Sequence, residues 1–86
     1  MNSEDLHDAG SKVIYLFRVG MTAKANDEFA KLIDGFIDLF SNFSGSVSLV
    51  EMNSVLEEIM TSQMTGDYLY VADLIEYKLL KLIAND

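Results

Sequence analysis

Apolar residues along this chain recur at intervals of three and four, the spacing of one helix face, and nowhere alternate as they would in a half-buried strand. The pattern predicts four helices, at about 3–19, 22–42, 48–64 and 67–84. In the first, Leu6, Ala9, Val13, Leu16 and Phe17 share a side. Ser3 stands at the cap position, Glu4 and Asp5 occupy the first turn where the helix dipole favours negative charge, and Gly20 is placed to close the far end in a left-handed conformation. The second has the cleanest amphipathic pattern, with Phe29, Leu32, Ile33, Phe36, Phe40 and Phe43 set against Asp27, Lys31, Asp34 and Asp38.

A polar connection around Gly45 leads to Ser48-Leu49-Val50-Glu51, a fit to the capping box that starts the third helix. That helix is expected to bury Leu49, Met52, Leu56, Ile59 and Met60. Thr65-Gly66-Asp67 breaks it, and the fourth helix then carries Tyr68, Val71, Ala72, Ile75, Leu79, Leu82 and Ile83 on one side. Short connections force successive helices antiparallel, so the predicted fold is all-α, an antiparallel up-down four-helix bundle forming a single domain over residues 1–86. Phe29-Ala30-Lys31-Leu32-Ile33-Asp34 and Val71-Ala72-Asp73-Leu74-Ile75-Glu76 match in character at an offset of 42, a faint repeat that suggests two related hairpins.

Composition narrows the function. Of 86 residues half are hydrophobic, and 14 acidic side chains against 6 basic ones leave a net charge of -8. Such a surface repels a phosphate backbone and argues against nucleic-acid binding. No stretch approaches the roughly 18 apolar residues of a membrane span. Cysteine is absent, which excludes disulfides, thiolate zinc sites and cysteine nucleophiles. Met1 to Asp8 carries three acids and no Lys or Arg, the wrong polarity for a secretory or mitochondrial signal, so a cytoplasmic location is expected.

Catalytic chemistry finds little to work with. His7 is the only imidazole, no Glu-x-x-His pair exists for a bundle-core metal, and Asp34 and Asp38 lie on a solvated face beside Lys31. Glu57 and Glu58 are adjacent and point to different parts of their helix. No phosphate loop or nucleophile elbow is present. The expectation is a protein without catalytic residues, metal or cofactor.

Surplus apolar surface is the distinctive feature. Tyr70, Leu74 and Tyr77 form a second stripe on the fourth helix, flanked by Asp73 and Lys81, and the third helix holds Met52, Met60 and Met64 with Asn53 and Gln63 intruding near its apolar side. Either the stripe completes the bundle wall, or it is an interface, where tyrosines are enriched. Methionines line adaptable helix-binding surfaces as well as cores. Tyr70, Leu74, Tyr77, Met60 and Met64 are therefore the candidate partner-binding residues, for another protein or a second copy in a structural homodimer.

Two resemblances bear on this. Gly45-Ser46-Val47-Ser48-Leu49-Val50-Glu51, followed by Leu56-Glu57-Glu58, resembles the region around the phosphopantetheine serine of acyl carrier proteins, with Ser46 at the attachment position. Those carriers have Asp-Ser-Leu where this chain has Gly-Ser-Val. The segment Leu49 to Ile83, with Glu57-Glu58-Ile59, Thr65-Gly66-Asp67-Tyr68 and Ala72-Asp73-Leu74-Ile75-Glu76, resembles small acidic helical proteins of bacterial flagellar systems, including export chaperones. That resemblance implies a small bacterial, non-enzymatic adaptor or chaperone that holds an amphipathic helix of a partner.

Overall fold

The computed structural model describes the backbone of residues 3–41 and 49–84, and every element in it is helical. Helix α1 spans Ser3–Arg18, α2 Thr22–Ser41 and α3 Leu49–Met64. A fourth rod, 68–84, consists of α4 (Tyr68–Leu74), a π-helical turn (Ile75–Leu79) and α5 (Leu80–Ala84). The predicted all-α four-helix bundle is the observed one, with each boundary within a residue of its expected place. Ser48, the expected cap of α3, Ser46 and Phe43 lie outside the described residues, as do the side chains of Ser3, Phe40, Leu49 and Ile83.

Glycine chemistry sets both tight turns. Gly20 and Gly66 have φ of 84° and 77°, the left-handed region that a side chain strains. Around each, two bonds close the preceding helix: Met21 N–H donates to the Leu16 carbonyl and Gly20 N–H to that of Phe17, then Asp67 N–H to Ser62 and Gly66 N–H to Gln63. These are Schellman closures, which satisfy the carbonyls a helix end leaves unpaired. The Asp67 carboxylate then accepts from the Tyr70 backbone N–H at 3.4 Å and caps α4.

The turns make two hairpins, α1/α2 and α3/fourth helix. α1 packs along α2 on one side and along the whole fourth helix on the other, while α3 rests on the fourth helix. The inner pair is thus α1 and the fourth helix, with α2 and α3 outside. Gln63 Nε2 donates to Asn26 Oδ1 at 3.0 Å and ties the outer helices at the turn end. The core runs from Leu6, Val13 and Phe17 through Leu32 and Phe36 to Ile59, Val71, Ile75 and Leu79, all essentially inaccessible. Ile14, Leu74 and Leu80 join it, beyond the faces that periodicity singled out.

Leu80 shows what the π turn accomplishes. Nine residues beyond Val71, it would fall about half a turn away from it on a regular helix of 3.6 residues per turn. Both are buried. The wider turn over Ile75–Leu79 takes up one additional residue, which rotates Leu80 back towards the core. There it lies over Gly10 in α1: a Cβ on that glycine would stand 2.6 Å from Leu80 Cδ2 and 3.1 Å from Cδ1. Gly10 is therefore a seat for Leu80 and not a helix breaker.

Gly10→Ala gains helix propensity, about 1 kcal/mol, and overpacks Leu80, at a typical cost of about 1–3 kcal/mol, so a net loss of about 1 kcal/mol is expected. Leu80→Ala alone should cost about 2–5 kcal/mol. In the double variant the added methyl occupies space that Leu80 has vacated. Urea denaturation of the cycle should show a total cost smaller than the sum of the two, whereas strict additivity would refute the seat.

Candidate partner-binding surface

The fourth helix positions the tyrosines, and the structure divides the expected stripe. Leu74 is only 3% exposed and belongs to the core, so it is not a surface residue as expected. The cause is the inner position of its helix: packed against both α1 and α3, it buries an arc wide enough to run from Ala72 through Ile75 and Val71 to Leu74. Tyr77 remains 59% exposed on the outer ridge. Tyr70 is exposed too, but its hydroxyl is committed.

Tyr70 Oη donates to Glu58 Oε2 at 2.7 Å, and Lys78 Nζ donates to Glu58 Oε1 at 3.0 Å. The three groups form a bridge from α3 to the fourth helix. Hydrogen bonds from Tyr70 first, and then from Lys78, hold the Glu58 carboxyl below its ordinary range. The bond to Glu58 raises the Tyr70 phenol, with desolvation adding to it, and the same carboxylate raises Lys78. A lowered carboxyl stabilises the fold above its unfolded value and loses that contribution as pH falls through the folded one. The raised phenol and ammonium contribute below their unfolded values and lose it as pH rises through the folded ones. The bridge is therefore intact from the weakly acidic range to the alkaline range. Glu58→Gln should move one of the four tyrosines to a lower titration midpoint in an ultraviolet pH titration, and an unchanged curve would show that the Tyr70 bond does not persist in solution.

A second clamp joins the inner helices. Arg18 donates to Glu76 at 2.7 Å and to Asp73 at 2.9 Å, and these bonds raise the arginine further. The guanidinium thus spans both acids at the surface. His7 lines a depression of about 280 Å³ with Ser11, Ile14, Glu76, Leu80 and Lys81. Among the described residues no group of three or more His, Asp or Glu side chains is placed to hold a metal ion.

α3 carries three of the exposed apolar residues, while Tyr15, Val19, Met21, Ile37, Leu69, Tyr70 and Tyr77 are exposed elsewhere. Met52 and Ile59 are buried as expected, but Met60, also expected in the core, is 59% exposed, and Met64 is 88% exposed. Val50, which sequence reasoning assigned to neither core nor surface, is 76% exposed. On a helical wheel Val50, Glu57, Met60 and Met64 fall on one outward side with Asn53 and Thr61. The helix has apolar residues on both sides, so no face dominated its pattern, and the outward set was legible only once the buried side was known. Three acids, Glu51, Glu57 and Glu58, and no basic residue make α3 wholly negative.

Between α3 and the fourth helix lie two open depressions. One, of about 540 Å³, is lined by Ser54, Glu57, Glu58, Thr61, Ser62 and Tyr70. The other, of about 420 Å³, is more apolar and is lined by Val50, Glu51, Ser54, Val55, Lys78 and Leu82. Of the predicted set, Tyr70, Met60 and Met64 thus lie on or beside α3, Tyr77 stands on the outer ridge, and Leu74 is inside. Ser46, the carrier-protein attachment position, lies outside the described residues. No helix among them is long and apolar enough to cross a membrane. No protein-family model, curated protein or solved structure matches this chain.

Proposed function

We propose that this protein is a non-enzymatic interaction module, a small bacterial cytoplasmic adaptor or chaperone, that binds an amphipathic helix of a partner protein along α3. The observation that carries this is the outward side of α3, where Val50, Met60 and Met64 are exposed on a helix with three acids and no basic residue. Met60 and Met64 stand one turn apart on that side and form an adjoining apolar pair that a partner helix can cover. Methionine suits a surface that must adapt to an apolar helix, because its unbranched, polarizable side chain repacks at little cost. The acids favour a partner with positive flanks and steer its approach. The likeness of Leu49–Ile83 to flagellar export chaperones supports the same reading.

Affinity purification from the native cell tests it, with the wild-type chain and the Met60→Glu/Met64→Glu variant as parallel baits. Both positions are exposed, so the variant should keep its helical signal and thermal midpoint. The expected result is one protein recovered with the wild type and lost from the variant. Equal recovery with both baits, or none with either, would overturn the proposal.

A further inference from the structure

The groove between α3 and the fourth helix is bipartite, and its two halves have different chemistry. The Glu58–Tyr70–Lys78 bridge crosses it. On one side Val50, Val55 and Leu82 form an apolar floor. On the other, Glu57, Thr61 and Tyr70 form a polar, negative wall. Ser54 lines both halves, so they adjoin along α3.

Charge in the polar half is unbalanced. Lys78 is spent on Glu58, whereas the Glu57 carboxylate meets no cation among the described residues. Thr61 donates its hydroxyl hydrogen to the Glu57 carbonyl at 2.9 Å, which leaves the oxygen able to accept from a partner donor. An arginine is well matched to this wall, because its planar fork can donate to a carboxylate and a hydroxyl together. Glu51 also lines the other half, whose floor of Val50, Val55 and Leu82 suits an aliphatic side chain.

The spacing fixes the pattern on the occupant. Val50 and Glu57 are two helical turns apart, about 10 Å at 1.5 Å per residue. A helix laid along α3 presents residues seven apart over the same distance. We infer that the groove takes a helix of another protein bearing an aliphatic residue and an arginine or lysine seven positions apart on its buried side, the aliphatic one over Val50 and Leu82 and the cation at Glu57. A second copy of this chain is a poor occupant, since each copy carries a net charge of -8. This inference deepens the helix-binding proposal and rests on it.

The test uses the whole chain and two synthetic helical peptides of about 18 residues, long enough to cover the groove at 1.5 Å per residue. One has leucine and arginine seven positions apart on a single face, and the other has glutamate in place of the arginine. Backbone amide shifts map where each binds. The arginine peptide should perturb residues 50–61 and 70–82 and weaken as salt is added. Glu57→Lys and Val50→Asp, both at exposed positions, should each weaken it about tenfold, and Glu57→Lys should gain affinity for the glutamate peptide. Equal binding of the two peptides to the wild type would overturn the paired anchors and leave helix binding standing, as would shifts confined to Met60 and Met64. No binding of either peptide, or a groove already closed by self-association, would overturn the inference, while the proposed function falls only if capture through Met60 and Met64 also fails.

Discussion

Leu74→Glu should unfold the protein. The side chain is 3% exposed and belongs to the core cluster, so the substitution removes buried apolar contact and places a carboxylate there without a partner. A cost of about 4 kcal/mol or more is expected, a large share of the total stability of a domain this size. Circular dichroism at ambient temperature should show most of the helical signal lost, while Leu74→Met stays folded within about 1.5 kcal/mol of the wild type. A Leu74→Glu protein with native signal and midpoint would return this residue to the surface stripe that its spacing from Tyr70 and Tyr77 suggests.

Phe17→Ala should be nearly as damaging. Phe17 is buried at the end of α1, its ring stacked on Tyr68 at 5.6 Å with planes 7° apart and set edge-on to Phe29 at 6.5 Å. It thereby joins α1 to α2 and to the fourth helix at once. Truncation should cost about 3–5 kcal/mol, which for a domain of this length lowers the thermal midpoint by roughly 15–30 °C. Tyr15→Ala, two residues away and largely exposed, should stay within about 0.5 kcal/mol. If the two variants melted alike, the aromatic cluster would not be the junction that its geometry describes.

Helix boundaries were legible because the chain marks them chemically. Gly20 and Gly66 stand where left-handed closures are required, and Asp67 stands where a cap is required. The burial of Leu74 was obscured by the assumption that a surface helix hides one narrow side, whereas this helix is inner. A signal for it was nonetheless present. In the matched segments Leu74 aligns with Leu32, and Leu32 is fully buried on the clearest amphipathic helix of the chain. The bridge among Glu58, Tyr70 and Lys78 had no such signal. Tyr70 and Lys78 are brought to one carboxylate across a π turn, and a fixed angle per residue does not represent that geometry. Met60 was ambiguous for another reason. Apolar side chains ring α3, and only the position of the fourth helix decides which of them are covered.

The pairing of α1 with the fourth helix also governs how the fold is reached and where it opens. Arg18 meets Asp73 and Glu76 across 55 and 58 residues of sequence, and Phe17 meets Tyr68 across a similar span. Decisive contacts between remote segments require a long loop to close before they form, so folding should be slower than in a bundle whose neighbours in space are neighbours in sequence. Neither hairpin buries both sides of its inner helix alone, so the two are expected to form and dissolve together. In the native state the outer helices are the ones that can open without breaking the inner pair. α3, with its methionines and carboxylates, is one of these, so the segment that presents the docking surface is also one that can adjust its seating as a partner arrives.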